Sequence, residues 1–253
     1  NVSVNGGTIK LDGNYPVGTE NVALGNTALD DASVGNYNVA IGDASLTANT
    51  GSNNTAVGAS SMDANTSGGE NVAMGAATLR ANTTGSYNTA LGRHALTSNT
   101  TSSANTAVGY QAGYASNSVY GGNAFFGYQS GLNSSTAYGS AFFGDSSGLS
   151  NTTGINNVAV GASALRSNTT ADANTAVGYH ALFDNTTGDS NTAQGFSAVA
   201  NNTTGTNNTG IGRDALFTNT TGSFNTAIGD SALVYSTTAS YNTSVGYQAL
   251  YAN

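Results

Sequence analysis

Two histidines, thirteen carboxylates and a cluster of tyrosines are the residues here that could do chemistry, and no cysteine joins them. An enzyme needs titratable groups that converge on one point. His94 and His180 each stand two residues after a Gly, but five repeats of the chain separate them. In a stack rising ~4.8 Å per coil they would lie ~24 Å apart, so they read as separate surface residues. A ring of His94 side chains in an oligomer, holding a metal or anion, is the lesser reading. Glycan cleavage uses two carboxylates about 5–10 Å apart. Asp172 and Asp189 are 17 residues apart, which one coil of a stack converts to ~5 Å. Both lie in Thr/Asn/Gly turns, where a solvated structural role is preferred. No catalytic residue, metal or cofactor is therefore expected. The tyrosines are the better candidates. Tyr110, Tyr128, Tyr179 and Tyr247 share the position after a repeated Gly, and Tyr114, Tyr120 and Tyr138 lie close to the first two. Aromatic faces flanked by Asn, Gln and Ser suit stacking on sugars. Tyr110, Tyr114, Tyr120, Tyr128 and Tyr138 are the binding candidates; the opposing reading has tyrosines cap a seam between chains.

What must position these residues is a repeat. The pentapeptide Asn-(Thr/Val)-Ala-(Val/Ile/Leu)-Gly begins at Asn21, Asn38, Asn54, Asn71, Asn88 and Asn105, and continues from Asn123 to Asn242. Steps of 17 residues dominate, with one of 16 and one of 18, and there are fourteen copies. A period this strict means one small unit stacked on itself. The full unit is Asn-Thr-Ala-Val-Gly-x-x-Ala-Leu-x-x-Asn-Thr-Thr-Gly-x-x. Its first five residues suit a strand. Ala-Leu is expected to be a second, shorter extended segment. Asn-Thr-Thr-Gly is turn chemistry. No sustained apolar stripe of helical period appears. The expected fold is all-β, a parallel β-solenoid of about 14 coils over 21–253, with 1–20 as an N-terminal lead-in or cap.

Stacking turns each position into a column. The third position is Ala except at Phe125, Phe142, Gly210 and Ser244, so it should point into a narrow interior. The fourth is bulky and apolar at Leu24, Ile41, Val57, Met74, Leu91, Val108, Val160 and Val177. A second apolar column, four residues after the Gly, includes Leu96, Leu165, Leu182 and Leu216. Two such columns exceed what one thin coil hides. One should therefore pack inside the chain and the other against neighbouring chains, most simply in a cyclic homotrimer. Between 112 and 150 the unit weakens. Gly113, Gly131 and Gly148 replace Leu while Phe125 and Phe142 replace Ala, so repacking around aromatics is expected there. Asp63 and Arg80 share one column in adjacent coils, and Arg213 and Asp230 share another. Each pair should form a surface ladder ion pair worth at most about 1 kcal/mol.

Composition narrows the function. Only 7% of residues are charged and the net charge is -8, which argues against binding nucleic acid or an anionic membrane surface. No apolar run approaches the roughly 20 residues of a membrane span, so no membrane insertion is expected. With Asn1 in place of Met and no leader, the chain reads as a fragment or processed product.

With the unit written out, the chain resembles two related groups. Asn-Thr-Ala-Val-Gly followed by Ala-Leu is similar to the head repeats of trimeric autotransporter adhesins, whose heads are trimers of left-handed parallel β-rolls. Runs such as NTTGSYNTALGRHAL and NTAVGYQAGY resemble repeat-rich tail fibres of marine and cyanobacterial phages more closely. This resemblance implies a virion structural protein: a trimeric fibre whose partners are other tail proteins and a host surface glycan or protein. The alternatives are a bacterial adhesin head on the cell surface and, in a different class, a fibre-borne glycan depolymerase.

Overall fold

The structure is a computed structural model that describes residues 20–31 and 34–251. The lead-in expected over 1–20 lies outside the described residues, apart from Glu20. The described chain falls into two units, one ending at Gly121 and the other starting at Gly122. In the first, strands β1 (Val22–Leu24) to β6 (Thr106–Val108) follow one another, each parallel to the next. In the second, β7 (Ala124–Phe126) to β14 (Thr243–Val245) do the same. Every strand has three residues, and the register pairs equivalent positions, as in Thr175 with Thr192 and Ala176 with Ala193. The fold is an all-β parallel solenoid with a repeat of about 17 residues, one strand per coil.

The Ala-Leu segment is not the second strand expected from sequence. Its residues bend, with positive φ at alternate positions: His180 at 55° and Leu182 at 50°, while Ala181 between them has none. The alternation aims the amides of the two positive-φ residues in opposite directions along the stack, while Ala181 N–H between them donates to Gly178 O of its own coil. His180 N–H donates to Ala162 O in the preceding coil, and Leu182 N–H donates to Ala198 O in the following one. The bend thus pairs the His180 and Leu182 amides with opposite neighbouring coils. Left-handed dihedrals cost a side-chain-bearing residue roughly 1–2 kcal/mol, and full burial of a Leu returns about 1.5–3 kcal/mol. The pentapeptide Gly has no such alternative. Gly178 sits at φ +136°, and a Cβ there would run into the Gly195 carbonyl of the next coil.

The interior is two columns wide. The third-position alanines Ala40, Ala56, Ala73, Ala90 and Ala107 are fully buried. Beside them Leu96, Leu165, Leu182 and Leu216 are also fully buried. The fourth-position side chains face outward: Leu24, Val57, Leu91 and Val108 are half-buried, and Ile41, Met74, Val160 and Val177 are exposed. In the second unit Phe125 and Phe142 take the space of Ala and Leu together. Each is fully buried, and a Cβ on Gly131 or Gly148 would strike the Phe125 or Phe142 ring respectively. A smaller exchange follows the same rule. Val199 replaces Leu, and its extra branch fills the place of a Cβ at Gly210.

Polar ladders run beside the apolar columns. From Asn38 to Asn225 the first residue of every repeat is a buried Asn, except where Ser140 replaces it. The Asn Oδ1 accepts the next Asn amide, as in Asn191 N–H to Asn174 Oδ1 at 2.9 Å. Its Nδ2 caps a turn carbonyl, as in Asn191 to Gly205 O at 2.8 Å. The second Asn links side chain to side chain. Asn168 donates to Asn151, Asn185 to Asn168, Asn202 to Asn185 and Asn219 to Asn202, at 2.6 to 3.1 Å. Where Ser116 and Ser236 replace this Asn, their hydroxyls are buried without partners, and so are the Asn99 and Asn219 Oδ1 atoms facing them.

Candidate functional site

With the interior filled by Ala, Leu and Asn, ligands can meet only side chains on the outer faces. The bend sets which of them meet. It places the residue after the pentapeptide Gly, the next residue, and the residue after the Leu on one face, where adjacent coils align them.

In the first unit this face gathers His94 with two of the tyrosine candidates. The His94 ring stands edge-on to Tyr110 at 6.4 Å and to Tyr114 at 6.2 Å. Its Nδ1 is buried and has no hydrogen-bond partner. Burial, and then the positive charges of Arg93 and Arg80, hold the imidazole below its ordinary pKa. Next to Arg80 lies a shallow cavity of about 430 Å³, lined by Asp63, Ala64, Arg80, Ala81, Thr97 and Ser98. Tyr120 is 74% exposed on a segment that departs from the repeat. Tyr128 and Tyr138 belong to the second unit, the former exposed and the latter half-buried.

The second unit holds an aromatic cluster that sequence reading did not assemble. Tyr179 stacks on His180 at 3.9 Å and on Phe196 at 5.3 Å. His180 packs on Phe183 at 4.4 Å, and the Arg166 guanidinium lies 5.7 Å from the centre of the Phe183 ring. Burial, then Arg166, lowers the His180 pKa against an opposing pull from Asp184. The available signal was the column position of Tyr179. Its neighbours were hidden because they come from three coils.

The carboxylates have backbone work. Asp172 accepts Ile155 N–H and Asp189 accepts Asp172 N–H, each at 2.8 Å. Ser103, Ser223 and Ser240 cap amides from the same column elsewhere. Arg213 binds Asp230 through two guanidinium nitrogens at 3.1 and 3.2 Å. That bond, and then one from Ser231, keeps the Asp230 carboxyl below its usual range. Asp63 and Arg80 flank the cavity together without forming an ion pair among the described residues. Nor are three His, Cys, Asp or Glu residues grouped to hold a metal among them.

Both histidines predict an acid-side loss of stability. Each binds its proton more weakly folded than unfolded, so the folded state is favoured fully only above the unfolded value of about 6.5. Stability should fall as pH drops through that value towards the lower folded one. Thermal unfolding at pH 5.5 is expected at a lower temperature than at pH 7.5, a window above the carboxylate range. A double variant, His94→Gln with His180→Gln, should flatten the difference; an unchanged slope would exclude the histidines as its source.

Comparison with protein-family models, curated proteins and solved structures finds no match.

Proposed function

We propose that this chain is a segment of a trimeric phage tail fibre that displays binding surfaces for a host-cell glycan. The observation that carries the reading is the outward apolar column. Met74 is 48% exposed, Val160 39% and Val177 36%, although the interior is already filled by the other apolar column. A stripe of this kind, flanked on its own strand face by residues such as Thr175, is what association of identical chains would cover. Trimerisation would also repeat each surface site three times, so that weak sugar contacts add through avidity. Tyr110 and Tyr114, beside His94 and Arg93, are assigned to such contacts. Among the described residues no helix is long and apolar enough to cross a membrane.

Sedimentation equilibrium tests the assembly. A mass of three times 25.1 kDa is expected at micromolar concentration. The variant Met74→Glu with Val177→Glu should shift it towards monomer. A wild-type chain that is monomeric throughout that range refutes the trimer.

A further inference from the structure

Each strand of the second unit turns two residues outward, the second and fourth of its pentapeptide, on either side of the buried third. From β9 (Val158–Val160) to β14 the second residue is always Val or Thr. In β7 and β8 (Ala141–Phe143) it is Ala124 and Ala141. These are also the two strands whose fourth residue is Phe, at Phe126 and Phe143. The two rings lie stacked at 4.8 Å with 6° between their planes. A large residue thus arrives together with a small one, as Phe125 does with Gly131 in the interior. Inside, the exchange is forced because the space is bounded and densely filled. A face left to solvent has no volume to conserve. The same exchange outside points to a second bounded space, closed by a neighbouring chain.

One residue breaks the fourth-position column. From β7 to β14 it is apolar in every strand except β11 (Thr192–Gln194), where Gln194 stands between Val177 and Ile211. The Gln194 side chain is exposed, and its amide forms no hydrogen bond among the described residues. An apolar partner laid over this column would leave the amide unsatisfied. Its own copies would not. An amide carries both donors and an acceptor, so identical amides brought together around an axis can bond in a ring. That self-complementarity selects a second copy of this chain, parallel and level, as what covers the face. A slip by one coil, ~4.8 Å, would set Gln194 against Val177 or Ile211 of its neighbours and strand the amides. A single polar residue in an apolar seam fixes register and chain number in coiled coils by the same physics.

We propose that the outward strand face of β7 to β14 lines the axis of the assembly, and that Gln194 locks its copies parallel and in register through a ring of side-chain amides. The proposal rests on the trimer reading and adds the residue that specifies how the chains align. A chain with the amide moved by one coil, Gln194→Val with Ile211→Gln, tests it. Co-expressed with wild type, each chain should assemble with itself. Native mass spectrometry should find mixed trimers about tenfold below random mixing, the effect of unpaired amides. The opposite shift, Gln194→Val with Val177→Gln, should sort in the same way, whereas two mass-tagged wild-type chains should mix at random. Placement at the axis has its own test, because the chain has no cysteine. Ile211→Cys and Val177→Cys, each made alone, should be captured by a short bis-maleimide as dimers linked at identical positions. Random mixing of both shifted chains with wild type refutes the lock. A trimer that neither thiol cross-links refutes the axial face. Either result leaves the trimer reading standing, whereas a monomeric wild type overturns both.

Discussion

Replacing Phe142 by Ala should destabilise the second unit by about 3–5 kcal/mol, and Gly148→Leu by a comparable amount, yet the two together should restore most of the loss. Phe142 is fully buried, so its truncation leaves a cavity as well as losing transfer energy. A side chain at Gly148 runs into the Phe142 ring, and overpacking of a dense core is also unfavourable. The double variant recreates the Ala159 and Leu165 pair of the following coil, where Leu165 already takes φ 53°. Gly148 stands at φ 57°, so the backbone there accepts leucine with only the left-handed penalty of roughly 1–2 kcal/mol. The single losses sum to at least about 6 kcal/mol and the double variant keeps about 2 or less, so the expected coupling is about 4 kcal/mol or more, read from chemical denaturation of all four chains. Additive single effects would show that the ring and the glycine are not a single packing exchange.

Asn185→Ala is the second large effect, about 3 kcal/mol of lost stability. Asn185 donates to Asn168 Oδ1 at 3.1 Å and to Gly188 O at 2.9 Å, and it accepts from Asn202 at 2.7 Å. Alanine leaves all three fully buried or turn-bound partners short of a bond, each at about 1 kcal/mol or more. Thr187→Ala, on an exposed position of the same turn, should stay within about 0.5 kcal/mol. Because each coil touches only its neighbours, the loss should appear as local opening around 168–205 in hydrogen exchange. The converse change is informative. Ser236→Asn gives the orphaned Asn219 Oδ1 a donor and should stabilise by about 1 kcal/mol. A destabilised Ser236→Asn together with a neutral Asn185→Ala would exclude the ladder as a source of stability.

Much of the fold was legible because parallel stacking in register turns sequence period into spatial columns. Ala at the third position announced a narrow interior, and Ala176 is fully buried. Phe125 opposite Gly131, and Phe142 opposite Gly148, were readable as a joint departure because both members changed together. The bend was not legible. Leucine is an unusual choice for positive φ, so Ala-Leu read as extended chain, whereas Leu46, Leu79 and Leu96 all sit near φ 50°. The functional surface was half legible. Tyr110 and Tyr114 were singled out, but His94 was read as isolated, because its ring neighbours come from the coil after it.

The repeat by itself determined the solenoid architecture, the strand in each coil and the small residue within it, since a strict period leaves a stack no other register. Tertiary structure alone decided which apolar column is inside and which faces out. Both columns are bulky, and the choice depends on the direction a side chain takes from a left-handed backbone. It also decided that Arg166, His180, Phe183 and Phe196 share one surface, because the bend of each coil, rather than distance along the chain, sets which outer positions meet.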